Sequence, residues 1–137
     1  MTEIILKGHK VVKGKVEGEA VVSQKPIGFA GGVNPNTGQI VEIGHELEGL
    51  SISGKILVFP VEKGSTGGSD VIYEMARLHK GPKGIINLRA KSIVVVGAIL
   101  ANIPVIDRLD GNPLELICTG DHVELDADRG IVRVRKI

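Results

Sequence analysis

Hydrophobic and polar residues alternate along this chain in short runs typical of β-strands, and one stretch in the middle has helical spacing instead. The alternating and apolar runs predict strands over residues 3–7, 16–23, 39–43, 55–61, 84–88 and 105–106, with a turn over 9–14. Near the end, period-two alternation over 122–125 and 131–134 around Gly130 predicts a β-hairpin. Strands at both ends with a strand–helix–strand unit between them predict a mixed α/β domain.

The central unit consists of the strand over 55–61, a glycine-rich loop over 64–69 and a helix. The helix has one apolar face, made by Val71, Ile72, Met75 and Leu78. Ser69 is expected to cap the start of this helix, and Gly81-Pro82 is expected to stop it. A strand followed by a glycine-rich loop and a helix exposes backbone N–H groups at one place, so we interpret this loop as functional.

Two other segments have unusual composition. Residues 92–103 are ambiguous, because the β-branched run at 93–96 favours a strand, whereas 97–102 favours a short helix that ends before Pro104. Residues 28–38 contain four glycines and a proline, which exclude a regular element. The pair Gly31-Gly32 indicates that backbone comes close to another group there, although an ordinary connection could have the same composition.

Composition narrows the classes of function. A chain of 137 residues predicts one domain over 1–137. The net charge is +1 and the only aromatic residues are Phe29, Phe59 and Tyr73, so we expect no nucleic-acid partner. Cys118 is the only cysteine, which favours a reducing, cytoplasmic location. The longest apolar run, 93–101, is about half of a membrane span, so no membrane partner is expected either.

The candidate chemistry centres on Ser65. It lies between Gly64 and the run Thr66-Gly67-Gly68, where loop N–H groups and a helix N-terminus would stabilise a substrate carboxylate or a serine alkoxide. Lys63 adds positive charge, but its position also excludes the Walker loop and the hydrolase nucleophile elbow. The spacing of residues 65–69 is also compatible with residues that only form a turn and cap a helix. The four dispersed histidines show no metal-ligand spacing, so no metal site is predicted.

Four stretches, taken together and in this order, resemble the aconitase X swivel-domain family. They are 31–38, 54–60, 63–69 and 97–107, and the similarity covers nearly the whole chain. The resemblance implies the β/β/α swivelling domain of aconitases, a mixed sheet or barrel with few helices. A separate chain of this size looks like the small subunit of a two-chain hydro-lyase that dehydrates 5-phosphomevalonate to trans-anhydromevalonate 5-phosphate, in a modified mevalonate route to isoprenoids.

The resemblance also implies roles for individual residues. Ser65 corresponds to the family's catalytic serine, the base that removes the proton next to the substrate carboxylate. Lys63 and the loop from Gly31 to Asn34 would help enclose the substrate. The residues expected to shape the anion site are Gly64, Thr66, Gly67, Gly68 and Ser69, and the substrate-binding set also includes Gly31, Gly32 and Asn34.

The resemblance places a four-iron iron–sulfur (4Fe–4S) cluster in the large subunit, where it would bind the substrate hydroxyl and carboxylate. Ligation of such a cluster needs about three cysteines, and this chain has one. We therefore expect no cofactor on this chain and a cysteine-bearing large subunit as its partner in a heterodimer. This chain departs from the family pattern at Asn34, which is usually acidic, and at Lys63, which is often arginine. These two differences bear on the exact substrate contacts. Lysine lacks the two-pronged guanidinium of arginine, and asparagine lacks the negative charge of an acidic residue.

Two other hypotheses stay open. The chain could serve a related hydroxy-acid or hydroxyproline dehydratase. Alternatively, it could be a non-catalytic swivelling module, because residues 120–132 resemble the end of phosphohistidine swivel domains. A phosphate carrier needs a histidine in its glycine-rich loop, and residues 64–69 have none. That leaves a scaffolding or regulatory subunit as the non-enzyme alternative.

Overall fold

The structure, a computed structural model, describes residues 2–64 and 66–137. Over these ranges the strands and helices are β1 (Glu3–Lys7), β2 (His9–Val12), β3 (Lys15–Val22), β4 (Ile56–Phe59), α1 (Gly68–Arg77), β5 (Gly84–Asn87), α2 (Ser92–Ala101), β6 (Val105–Asp107), α3 (Pro113–Leu116), β7 (His122–Asp126) and β8 (Ile131–Arg135). None of the helices in this part of the chain is long and apolar enough to cross a membrane.

The strands hydrogen-bond in the order β1-β8-β7-β3-β4-β5-β6-β2. Strand β3 joins two halves of the sheet, because Lys15–Glu19 pair antiparallel with β7 while Ala20–Val22 pair parallel with β4. Strands β3, β4, β5 and β6 are parallel neighbours, and β1, β8 and β7 pair antiparallel beside them. The mixed α/β prediction is confirmed, and so is the hairpin of β7 and β8.

The middle strands are buried on both faces. Leu57 and Phe59 of β4 pack in one core with α1 and α2, whereas Ile56 and Val58 pack in a second core with the antiparallel strands. A strand covered on both faces needs apolar residues at successive positions. This requirement explains why residues 56–59, which form β4, are continuously apolar instead of alternating.

Three predictions about secondary structure were wrong or incomplete. Residues 9–12, predicted as part of a turn, form β2, which pairs with β6 at the far edge of the sheet. The predicted strand at 39–43 is reduced to isolated bridges at Gln39 and Ile40. The ambiguous segment forms helix α2, which packs on α1 so closely that a Cβ atom at Gly97 would lie 2.9 Å from the Ile72 side chain.

The end of the chain is held by Asp121, a buried residue just before β7. Its carboxylate accepts hydrogen bonds from the N–H groups of Cys118 and Ile137 and forms an ion pair with the Lys136 ammonium. Burial by itself would raise the pKa of Asp121, but the hydrogen bonds from Lys136, Cys118 and Ile137 outweigh it and hold the pKa below its ordinary value.

Asp121 should therefore stabilise the fold at neutral pH and lose this effect in acid. A carboxyl group with a lowered pKa in the folded state contributes above its unfolded pKa, near 3.8, and the contribution is lost as pH falls through the folded value. We expect Asp121→Asn to cost about 3 kcal/mol of unfolding free energy at pH 7. In urea titrations the difference from the wild type should shrink at pH 3. A difference that is equal at both pH values would contradict this, and Glu115→Gln, at an exposed position, is the control.

Candidate active site

The two glycine-rich loops that the sequence singles out meet beyond the carboxyl end of β4. After β4 the chain continues through Pro60 to Lys63, whose N–H donates to the Ile27 carbonyl at 2.9 Å. Ile27 and Glu62 form a parallel bridge at the same place. The carboxyl ends of parallel strands are where open α/β sheets bind ligands, so this position suits a site.

A cavity of about 320 Å³ lies between the two loops. Its lining consists of Gly28, Ala30, Gly31, Gly32, Glu42, Lys63 and Gly64. Four residues of the predicted substrate-binding set are thus brought together, Gly31 and Gly32 from one loop and Lys63 and Gly64 from the other. A larger cavity of about 700 Å³, beside the β2–β3 turn and the end of α2, contains none of the predicted residues in its lining over the described ranges.

The floor of the smaller cavity is bare backbone. A Cβ atom at Gly32 would lie 2.0 Å from the Gly28 carbonyl oxygen, and one at Gly28 would lie 3.4 Å from the Lys63 Cβ. No side chain fits at Gly32 without moving the main chain. The close approach that the Gly31-Gly32 pair indicates is therefore found at Gly32, and it is an approach to the chain's own loop.

Lys63 is held across the cavity by Glu42. The Lys63 Nζ lies 2.6 Å from the Glu42 Oε2, and the side chains are 49% and 31% exposed. Glu42 was missing from the sequence interpretation. No local pattern marks it, because its partner lies 21 residues further along the chain.

A second acidic residue that the sequence interpretation missed is Glu62. It is buried, and its Oε1 accepts a hydrogen bond of 3.1 Å from the Val94 N–H in the first turn of α2. The α2 N-terminus has no cap from its own Lys91 side chain, so Glu62 satisfies one of its N–H groups from outside the helix. This bond ties the segment that carries Lys63 to α2.

Helix α1 begins differently from the prediction. Gly67, with φ of +95°, is the N-cap, and as a glycine it has no side chain with which to cap the helix. Ser69 lies inside the first turn, where its Oγ donates to the Ile93 carbonyl at 2.8 Å and so links α1 to α2. A Cβ atom at Gly68 would lie 2.6 Å from Ile93, so Gly68 allows the two helices to approach.

The other predicted residues lie beside the cavity. Thr66 and Gly67 are exposed, and Thr66, Gly67, Gly68, Ser69 and Asn34 are outside the cavity lining in the part of the chain described. The Asn34 Oδ1 accepts from the Asn36 N–H at 2.9 Å, which closes a turn at the end of the glycine loop. Ser65, the predicted proton acceptor, lies outside the described residues, so its role stays a prediction.

The residues of this chain do not fit an iron–sulfur cluster. Such a cluster needs about three thiolate ligands, whereas the sequence provides Cys118 alone, exposed after α3. The geometry does offer a backbone-lined cavity with an ammonium group at its side and the N-terminus of α1 nearby. These features stabilise negative charge, as an anionic substrate or a developing alkoxide requires.

Comparison with known proteins agrees with this picture. The sequence model of the aconitase X swivel domain matches residues 5–134. Curated relatives include the phosphomevalonate dehydratase small subunits of Methanocella arvoryzae, 46% identical over 94% of this chain and 98% of that protein, and of Pyrococcus furiosus, 50% identical over 94% of each. The crystal structure of Thermococcus kodakaraensis aconitase X in its holo-form has a TM-score of 0.92 and 47% identity, and the match covers 97% of this chain and 99% of that one. The swivelling fold is thereby confirmed, and the chain belongs to the aconitase X swivel-domain family.

Proposed function

We propose that this chain is the small subunit of a phosphomevalonate dehydratase, a hydro-lyase that converts (R)-5-phosphomevalonate to trans-anhydromevalonate 5-phosphate. One observation carries the proposal: relatives between 44% and 50% identical, aligned over nearly their full length, are named as small subunits of this enzyme. The geometry supports it, because the two loops that carry the family motifs form the walls of one cavity.

The reaction requires a strong base and stabilisation of negative charge. The proton removed lies next to a carboxylate and is only weakly acidic. In the proposed step the Ser65 alkoxide takes this proton and the C–H electron pair forms the new C=C bond. The hydroxyl group leaves with the C–O electron pair and takes up a proton to become water, and loss of the proton from the Ser65 hydroxyl restores the alkoxide. Loop N–H groups, the α1 N-terminus and the Lys63 ammonium would stabilise the alkoxide and the substrate's negative charge.

The remaining chemistry is assigned to a partner. Because this chain cannot supply the ligands of a cluster, the groups that act on the leaving hydroxyl must come from the large subunit, which we propose as the site of the 4Fe–4S cluster. The proposed complex is a heterodimer, and the lone cysteine is in keeping with a cytoplasmic location.

The test is to mix this chain anaerobically with its cluster-bearing partner and to follow loss of 5-phosphomevalonate and appearance of the anhydro product by mass spectrometry. Product should form only when both chains are present, and each chain alone is the control. If the mixture dehydrated hydroxyproline or another hydroxy acid but not 5-phosphomevalonate, the proposed reaction type would stand and the proposed substrate would be wrong. A large subunit that is fully active alone would make this chain regulatory.

A further inference from the structure

The ion pair between Lys63 and Glu42 lies in the lining of the cavity. We propose that Glu42 is a positioning residue, which holds the Lys63 ammonium at the place where it meets an anionic group of the substrate. This inference rests on the proposed function, since it takes the ligand of the cavity to be a phosphorylated hydroxy acid. Neither residue is a metal ligand or a proton carrier in this proposal.

The Lys63–Glu42 ion pair forms part of the wall of the cavity. Both residues are part of the lining, and the Nζ to Oε2 distance of 2.6 Å is that of a strong, charge-assisted hydrogen bond. A lysine ammonium has three N–H donors. Glu42 is its one hydrogen-bond partner within residues 2–64 and 66–137, which leaves donors for a carboxylate or phosphate oxygen.

The backbones of both residues are fixed. The Lys63 N–H donates to the Ile27 carbonyl, and the Val41 N–H, next to Glu42, donates to the Gly32 carbonyl, each at 2.9 Å. The Glu42 carbonyl in turn accepts from the His45 N–H at 3.2 Å, and the His45 ring bonds the Pro26 carbonyl. The pair therefore spans two segments that are each anchored to the loop forming the cavity floor.

The stability of the fold does not explain the pair. Half-exposed ion pairs contribute little to stability, and this chain has a comparable one away from the cavity, between Glu19 and Lys55 at 3.1 Å. Glu42 instead fixes the position of the Lys63 ammonium. A lysine side chain has four flexible carbon–carbon bonds, so without a partner its ammonium would be spread over a large volume.

A double-mutant cycle on the assembled enzyme tests this inference, with the variants Glu42→Gln, Lys63→Met and both together. We expect Glu42→Gln to lower kcat/KM for 5-phosphomevalonate about tenfold, chiefly by raising KM, and to have no further effect in the Lys63→Met background. Glu19→Gln, which breaks the comparable pair, should leave kcat/KM unchanged. Additive effects of the two substitutions, or a lower KM in Glu42→Gln, would overturn the inference.

A second measurement separates failure of this inference from failure of the proposed function. Inorganic phosphate is titrated onto the full chain, and the Lys63 ammonium is followed by NMR of ¹⁵N-labelled lysine. The wild-type resonance should shift at a phosphate concentration about tenfold lower than that of Glu42→Gln. If the assembled enzyme does not dehydrate 5-phosphomevalonate but this difference is seen, the substrate is wrong and the positioning role stands. Equal or tighter phosphate binding by Glu42→Gln would reject the positioning role whatever the substrate.

Discussion

Replacing Ser65 by alanine is expected to lower kcat of the assembled enzyme about 100-fold or more, the effect of removing a catalytic base. The change removes one hydroxyl oxygen. If the loss is one of catalysis, assembly with the large subunit and thermal stability should match the wild type. Single-turnover assays with 5-phosphomevalonate measure the chemical step, and calorimetry of the two chains measures assembly. A binding role would instead raise KM and spare kcat.

The matched control is Ser69→Ala, four positions further along the same loop and helix start. Its hydroxyl bonds the Ile93 carbonyl and thus has a structural partner. Loss of that bond should cost about 1 kcal/mol of stability and leave kcat within about threefold. If Ser65→Ala behaved like Ser69→Ala, Ser65 would be a turn residue and the base would lie in the large subunit.

The strands that the sequence predicts well are those whose pattern follows from local packing. The hairpin of β7 and β8 alternates buried and partly exposed positions, because one of its faces packs in the core, and Gly130, with φ of +75°, makes its turn. In contrast, β2 has no such signal. Its residues are extended because they pair with Val105–Asp107, about a hundred positions away, and no local spacing contains that information.

Helix α2 shows tertiary packing overriding local propensity. Residues 93–96 are β-branched and favour a strand, yet they are helical. Gly97 lets α2 lie directly against Ile72 of α1, and Asn102, in the left-handed region at φ of +57°, ends the helix before Pro104. Residues 93–96 therefore adopt the helical conformation that residues 97–102 favour.

The candidate site was predictable at its glycines and at Lys63, which directly precedes the glycine-rich loop, but not at its acidic residues. Gly32 is required by the close approach to the Gly28 carbonyl and Gly31 by its positive φ of +81°, whereas Gly64 lines the cavity without either constraint. Glu42 and Glu62 look like ordinary surface acids, and their roles depend on partners brought near by the fold. Helix capping was misassigned for a similar reason, since the Ser69 hydroxyl is engaged by α2 and Gly67 takes the cap position.

The second large effect is expected for Gly32→Ala. The added methyl carbon would lie 2.0 Å from the Gly28 carbonyl oxygen, which is main chain and cannot rotate away. We expect a loss of about 3 kcal/mol in unfolding free energy and a Tm lower by roughly 10 °C. Because the Val41 N–H bonds the Gly32 carbonyl, the displacement would also move Glu42 and Lys63, and activity of the assembled enzyme should fall with it.

Gly64→Ala is the control, since Gly64 lines the same cavity and its φ lies outside the left-handed region. Apart from its chain neighbours, no atom of residues 2–64 and 66–137 lies within 4 Å of an added Cβ there. Its Tm should not fall below that of the wild type, because an alanine in open space at an ordinary backbone conformation adds no strain and restricts the unfolded chain. Thermal melts of the two variants side by side therefore separate crowding at the cavity floor from a general intolerance of side chains in these loops. Equal melting temperatures for Gly32→Ala and the wild type would mean that residues 28–32 can shift freely. In that case the bare backbone floor could not be what fixes the distance between Glu42 and Lys63.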